Sequence, residues 1–349
     1  PAFSLAVPFS LLTVYYIVAR VLHGVGLQLD FFYAFFYGMA VYCANIAGNY
    51  LGFDRDRRRI RRAFEFYLTP EYIEQLAAEP SKLKLGGETR EMTVLFSDIR
   101  SFTSLSEKMP PEQLVAFLNG YLTAMSNVIM AKRGVVDKYI GDAIMAFWGA
   151  PLENRNHSRD AVTAALEMIE ALRQLNDQWR RNGLESVRIG IGINTDRMVV
   201  GNMGSERRFN YTVMGDAVNL ASRLEGLCKE YGCSLIVNET TCQAVKDAFV
   251  VRQLDWVAVK GKSQPSVIFE ILGPASERER LEPLVEQTRA GLESYLQGDW
   301  DRSIRSWRAL AEIDPNHQLI ELFCRRCLEM KSNPDRAKEW NGVWRMTHK

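Results

Sequence analysis

The chain has 349 residues, 47% of them hydrophobic and 24% charged, with a formal net charge of +1. That length suffices for two domains, each around a buried core. The near-neutral balance gives no electrostatic case for a nucleic-acid partner. The six cysteines (Cys43, Cys228, Cys233, Cys242, Cys324 and Cys327) are scattered. Cys324 and Cys327 form a CxxC without the second pair or histidine cluster that a zinc site needs, so a helix face and reduced, cytosolic thiols fit them best.

In chain order, the first features are apolar. The chain begins at Pro1 rather than Met, which reads as a fragment or a processed product. Residues 1–19 and 31–53 carry no charged side chain. A bilayer core needs roughly 20 apolar helical residues, so 1–53 is predicted to hold two transmembrane helices, with aromatic residues near their ends as interface anchors. Pro8 is placed to kink the first, and a signal peptide would explain only one of the two. The run DRDRRRIRR at 54–62 carries six arginines and predicts a cytoplasmic exit. Two spans then place residue 1 on the cytoplasmic side as well, so an outside sensor domain would need a further span. The predicted location is the inner (plasma) membrane, multi-pass, with the soluble part cytoplasmic. Residues 54–90 read as a helical linker interrupted at Thr69-Pro70. Its apolar spacing (Ile60, Phe64, then Tyr67 or Leu68) is too short to establish a coiled coil.

From residue 91 strands and helices alternate. TVLFSDI (93–99) is an apolar strand, and a helix follows from about Pro111 to Lys132, its prolines at positions a helix start accepts. VVDKYI and AIMAFWG form a hairpin turning at Gly141-Asp142. A long helix runs from about Ser158 to Arg181. VRIGIGIN, RMVVGNM and NYTVMG read as three strands. A helix opens at Gly215-Asp216 and runs to about Tyr231. CSLIVN, FVVRQLDWVAV and VIFEIL complete the strands. The order is a βαββαβ core with extra strands, an α+β sandwich of ferredoxin-like type.

Asp98 ends the first strand, and Asp142 sits at the turn of the hairpin that should pair with it. Antiparallel neighbours bring such positions within a few ångströms. Two carboxylates with no histidine nearby in sequence make a poor acid–base pair and a good oxygen site for one or two Mg²⁺ ions, which suits phosphoryl chemistry. Gly141 is read as letting backbone approach a phosphate. Taken singly, Asp98 as a helix cap and Asp142 as a turn residue would be the plainer reading.

Three stretches taken together change that balance. FSDIRSFTSLSE, VVDKYIGDAIMAFWGAP and NYTVMGDAVNLASRLE, followed by VKGKSQP, resemble the catalytic domain of class III nucleotide cyclases over about residues 91–273. The upstream pattern resembles bacterial members with a CHASE-type extracytoplasmic sensor. The resemblance implies a homodimer with active sites at its interface, ATP as substrate, and two Mg²⁺ or Mn²⁺ ions per site. It implies that Asp98, Asp142 and the Ile99 backbone hold the metals on one subunit. The other subunit would supply Lys138 and Thr212 for the base, Asn219 for the ribose, and Arg223 and Lys260 for phosphate. The reaction implied is attack of the ribose 3′-OH on the α-phosphorus of ATP, giving 3′,5′-cyclic AMP and pyrophosphate, with one metal lowering the hydroxyl's pKa. Lys138 can donate to adenine N1, whereas guanine N1 carries a hydrogen. Thr212 can accept from the adenine amino group but can also donate. The resemblance also implies a turn at Asp196 that calls for φ > 0. A diguanylate cyclase would need a GGDEF-type hairpin where this chain has YIGDAI. A nucleotide-sensing module without turnover, or a membrane scaffold, are the readings of other classes.

After Pro274 the composition shifts to charged helix. Residues 290–330 resemble one tetratricopeptide-like unit, which cannot bury its own face and should pack on the catalytic domain or a partner. Trp300, Trp307, Trp340 and Trp344 read as core. The predicted organisation is 1–53 transmembrane, 54–90 linker, 91–273 catalytic domain and 274–349 helical tail.

Overall fold

A computed structural model of the chain describes residues 85–258, 265–314 and 316–345, with a few helical positions between 13 and 43. The chain divides into two units, Pro1–Glu79 and Pro80–Lys349. The two predicted spans, the arginine run and the linker lie almost wholly outside the described residues. Among the described residues, the one helix long and apolar enough to cross a membrane is Pro111–Ala131. It turns Phe117, Tyr121, Met125 and Ile129, four residues apart in succession, onto a core.

The second unit is built on a nine-stranded sheet. In chain order the elements are β1 (Gly86–Ile99), α1 (Phe102–Ser106), α2 (Pro111–Ala131), β2 (Val135–Ile140), β3 (Ala143–Trp148), α3 (His157–Arg181), β4 (Ile189–Ser205) and β5 (Arg208–Met214). Then come α4 (Asp216–Tyr231), β6 (Leu235–Asn238), α5 (Glu239–Val245), β7 (Phe249–Ala258) and β8 (Ser266–Pro274). The tail adds α6 (Arg278–Leu296), α7 (Trp300–Leu310), α8 (His317–Ser332), α9 (Pro334–Lys338) and β9 (Trp344–Arg345). Strand order is β2-β3-β1-β4-β6-β8-β7-β9, and β5 pairs with β4. The antiparallel β2-β3-β1-β4 core with its two connecting helices is the predicted βαββαβ sandwich.

Alternation along β1 assigns its two faces. Leu95 and Ile99 enter the core under α2 and α3. Met92 and Val94 enter the opposite one, shared with β5 and with Ala217 and Ala221 of α4. By the same alternation Asp98 falls on the α4 side. Gly192 of β4 lets α4 settle onto the sheet: a Cβ there would stand 2.2 Å from the Glu225 nitrogen and 2.3 Å from the Ala221 carbonyl oxygen.

Three expectations need correction. The strands predicted from 187 to 203 are one strand, β4, running through residue 196. Asp196 is therefore not a turn residue and does not take positive φ; it is extended and accepts the Arg197 N–H at 2.7 Å. Helices α1 and α5 were not foreseen. The tail is not helical throughout, because β9 joins the sheet parallel to β7, and the tetratricopeptide-like reading finds no support beyond the run of helices.

The tail packs on the sheet domain through one continuous core. Leu220, Leu224, Cys228 and Tyr231 of α4 meet Tyr295, Trp307, Leu319, Phe323 and Cys327. Trp307 is fully buried and stacks on Phe323, centroids 4.2 Å apart, while Trp300, Trp340 and Trp344 pack half-buried at the edge. Polar contacts fix the C-terminal end of α4. Asn316 Nδ2 donates to the Tyr231 carbonyl at 3.0 Å and Gln318 Nε2 to that of Lys229 at 2.5 Å, which satisfies carbonyls a helix end leaves open. Buried Arg326 bridges Glu230 at 2.8 Å and Asp255 at 2.6 Å, and Tyr231 donates to the same Asp255 at 2.5 Å. A second buried arginine, Arg252, bonds Glu270 and the tail's Asp314.

Breaking a buried, hydrogen-bonded ion pair from one side costs about 3–5 kcal/mol, because a charge is left unpaired. Arg326→Ala is expected to lower stability by that order in urea titration. Removal of the exposed Arg173, which pairs within α3, should leave the midpoint unchanged.

Candidate active site

Two polar clusters stand out on the sheet domain, and both use the β2–β3 hairpin. The first lies where β1 ends. Strands β1 and β3 pair with Ser97 opposite Ile144; two residues further, that register sets Ile99 opposite Asp142. The Ile99 N–H accordingly donates to Asp98 Oδ1 at 3.0 Å and to Asp142 Oδ2 at 3.2 Å. The turn before Asp142 needs Gly141, whose φ is +67°, a left-handed conformation that side chains resist. A Cβ there would meet nothing within 4 Å, so within this chain the turn conformation, not crowding, calls for glycine.

The paired carboxyls repel when both are charged. Burial, then the hydrogen bond and charge of Asp98, push the Asp142 pKa from 3.8 up to about 7. Glu225 of α4 faces the same pair. Burial lifts it to about 7 as well, against the pull of Arg100. Arg100 Nη1 stands 3.1 Å from Glu225 Oε1, and its Nη2 donates to the Glu225 carbonyl at 3.0 Å. This donor set is all oxygen and crowded with like charge, which fits a hard divalent cation such as Mg²⁺ or Mn²⁺. Among the described residues no group of three or more His, Cys, Asp or Glu is arranged to hold a metal, so further ligands would be backbone, water or phosphate oxygens.

The second cluster lies further back along β2. Strand β2 carries a bulge: Val136 pairs with Ala146 and Lys138 with Met145, so Asp137 is an extra residue. Neighbours on a regular strand point to opposite faces; the bulge cancels this and lets Asp137 and Lys138 act together. Lys138 Nζ donates to Thr212 Oγ1 at 3.1 Å and lies 2.9 Å from Asp137 Oδ1. Thr212 Oγ1 donates to Asp137 Oδ2 at 2.5 Å. Thr212 comes from β5, where it stands opposite Gly201 of β4.

Helix α4 carries the remaining candidates. Asn219 is exposed, and Arg223, one turn on, is half-buried. The Arg223 Nη1 atom is buried and finds no partner among the described residues. Lys260 lies outside the described residues. The structure thus brings Asp98, Ile99, Gly141 and Asp142 together, and Lys138 with Thr212, and sets Asn219 and Arg223 one turn apart. No hydrogen bond among these residues joins the two clusters. Sequence reasoning missed Asp137 as a partner of the pair, and the Arg100–Glu225 contact beside the carboxylates. The adjacency of Asp137 to Lys138 was the available signal, hidden by strand alternation.

Comparison with known proteins bears on the family. The family described as adenylate and guanylate cyclase catalytic domain matches residues 87–271. An adenylate cyclase of Anabaena cylindrica is 39% identical over 218 residues, 60% of this chain and 42% of that protein. The adenylyl cyclase CyaB from P. aeruginosa has a solved structure 36% identical, with a TM-score of 0.51, covering 54% of this chain and 96% of that one. The guanylyl cyclase Cya2 is similar to the same degree: 38% identity, TM-score 0.50, 55% of this chain and 96% of that one. The chain spans only 11% to 42% of the length of the first curated relatives it matches. With the match covering more than half of its length and the site's candidates lying inside or beside it, this chain belongs to the adenylate and guanylate cyclase catalytic domain family.

Proposed function

We propose that the chain is an adenylate cyclase that converts ATP to 3′,5′-cyclic AMP and pyrophosphate, working as a homodimer. The observation that carries the choice of ATP is the Lys138–Thr212 contact at 3.1 Å. An ammonium donor and a hydroxyl oxygen stand side by side, matching the acceptor N1 and donor amino group of adenine. Guanine reverses both polarities and would leave buried polar groups opposed. Overall likeness does not make this choice, because relatives of either specificity are about equally similar.

Asp98 and Asp142, with the Ile99 backbone, would hold Mg²⁺ or Mn²⁺, two ions per site. Bound there, such ions supply charge neutralisation and acidify a coordinated hydroxyl. The chain's own residues would do the rest. Asn219 would orient the ribose, and Arg223, with a guanidinium nitrogen unpartnered among the described residues, would spread charge developing on the phosphates. Lys260 and the Gly141 turn would bind phosphate. No hydrogen bond among the named residues joins the two clusters, which suits a site shared between two chains. Each hairpin would then give Asp142 to one nucleotide and Lys138 to the other. The uncharged stretches 1–19 and 31–53 and the arginine run after them support anchoring in the plasma membrane, with a CHASE-type sensor upstream and the catalytic domain, about 91–273, in the cytoplasm.

Product analysis tests the reaction. The chain offered ATP or GTP with Mn²⁺ or Mg²⁺ is expected to release cyclic AMP from ATP, and Asp142→Ala to reduce turnover by at least about a hundredfold. Absence of a cyclic product from a folded, nucleotide-bound chain rejects the proposal.

The carboxylate pair gives a second test. The folded Asp142 value, about 7, lies above the ordinary 3.8. The fold therefore favours the protonated form, and this contribution to stability is lost as pH rises through about 7. Asp142→Asn holds the neutral form. At pH 8 without metal it is expected to melt a few degrees higher, on the order of 1 kcal/mol after solvent screening. It is also expected to lose the rise in melting temperature that Mn²⁺ gives the unaltered chain. An equal Mn²⁺ response in both rejects the metal site.

A further inference from the structure

Asp137 has no place in the roles assigned above, yet its carboxyl is the most enclosed group of the base cluster. Its side chain is fully buried, 0% exposed, against 40% for Lys138. Oδ1 stands 2.9 Å from the Lys138 ammonium as an ion pair and accepts no hydrogen bond among the described residues, while Oδ2 accepts the Thr212 hydroxyl at 2.5 Å and the Val213 N–H at 3.4 Å.

The consequence falls on Thr212. A hydroxyl has one hydrogen and two lone pairs. The Thr212 hydrogen goes to Asp137, and one lone pair receives Lys138. What remains is a single lone pair. Thr212 on its own could present either a donor or an acceptor to a base; tied to a buried carboxylate it presents only an acceptor. To meet the guanine carbonyl it would have to turn its hydrogen outward and give up a charge-assisted bond, leaving the Asp137 oxygen buried and short of a donor.

We propose that Asp137 is a specificity-determining positioning residue, which holds the Thr212 hydroxyl as an acceptor and so selects adenine over guanine. The proposal rests on the reading of Lys138 and Thr212 as the base-recognition pair. The β2 bulge makes it possible, since without it Asp137 and Lys138 would point to opposite faces. Asp137 touches no base and acts through Thr212.

The test uses the full chain and compares kcat/KM for ATP and for GTP, together with competitive binding of the two nucleotides. In Asp137→Asn the amide oxygen stays toward Lys138 and its NH₂ faces Thr212, freeing the hydroxyl hydrogen. The ATP-to-GTP ratio is expected to fall about tenfold. Thr212→Val should lower it similarly, and the double variant should be no worse than Thr212→Val alone, because the two residues act as one unit. Asp137→Glu, which displaces the carboxylate by one methylene, carries the same expectation and serves if the Asn variant does not fold. A lowered melting temperature with the ratio unchanged, or additive losses in the double variant, overturns the proposal. Equal binding of ATP and GTP by the unaltered chain overturns it as well. A chain that prefers ATP in binding and forms no cyclic AMP refutes the reaction instead, and Asp137 is then judged by the binding ratio alone.

Discussion

A strand alternates its side chains between two faces, and β2 breaks that rule once. The extra residue at Asp137 lets two neighbours share a face, while the tight turn at Gly141 returns the chain so that Asp142 meets the end of β1. Eight residues, Val135 to Asp142, thus serve two separate clusters. Lys138 and Asp137 turn to Thr212 on β5, and Asp142 turns to Asp98 and the Ile99 N–H. The hairpin's polar residues are tolerable beside an apolar core because most are matched: the part-exposed Lys138 ammonium by a carboxylate and a hydroxyl, the Asp142 carboxyl by a backbone N–H. At the Asp98–Asp142 pair a hydrogen bond between the carboxyls holds while Asp142 keeps its proton; like charges face each other once it ionises, and that repulsion is what a bound cation would remove.

Helix α4 is the second structural constraint. It can lie against β4 only because Gly192 has no Cβ, and its far end is held by the tail through Asn316, Gln318 and Arg326. Its first turns carry the exposed Asn219 and the half-buried Arg223. A helix fixed at its last turn and along its buried side presents those two residues from a rigid element, as the proposed contacts to a ribose and a triphosphate would require. The tail thereby has a physical link to the site without touching it. The buried arginines at its interface are costly to place and costly to lose.

Much of this was legible in the sequence, for identifiable reasons. Prolines and glycines marked the ends of α2 and the hairpin, and continuous apolar runs marked the buried strands. The meeting of Asp98 and Asp142 followed from antiparallel pairing alone. Register was not legible. Nothing local distinguishes a bulge at Asp137 from a regular strand, on which Asp137 and Lys138 would take opposite faces. Asp196 suggested a turn, but pairing of β4 with β1 on one side and β5 on the other keeps residues 189–205 extended. The Arg100–Glu225 contact joins residues 125 apart, and β9 pairs across the whole of the tail; neither leaves a periodic trace. The tryptophans of the tail read as core because apolar area decides their burial, whatever repeat they belong to.

The central claim is that one chain carries two half-sites that belong to different nucleotides. Mixing Asp98→Ala chains with Lys138→Ala chains tests it most directly. In the mixed dimer one of the two sites receives both intact halves. The account predicts that each variant alone is nearly inactive and that the mixture regains part of the unaltered activity, up to about a quarter at equal proportions with random pairing. No recovery, in a preparation where mixed dimers are demonstrated, would contradict it and return both clusters to a single chain.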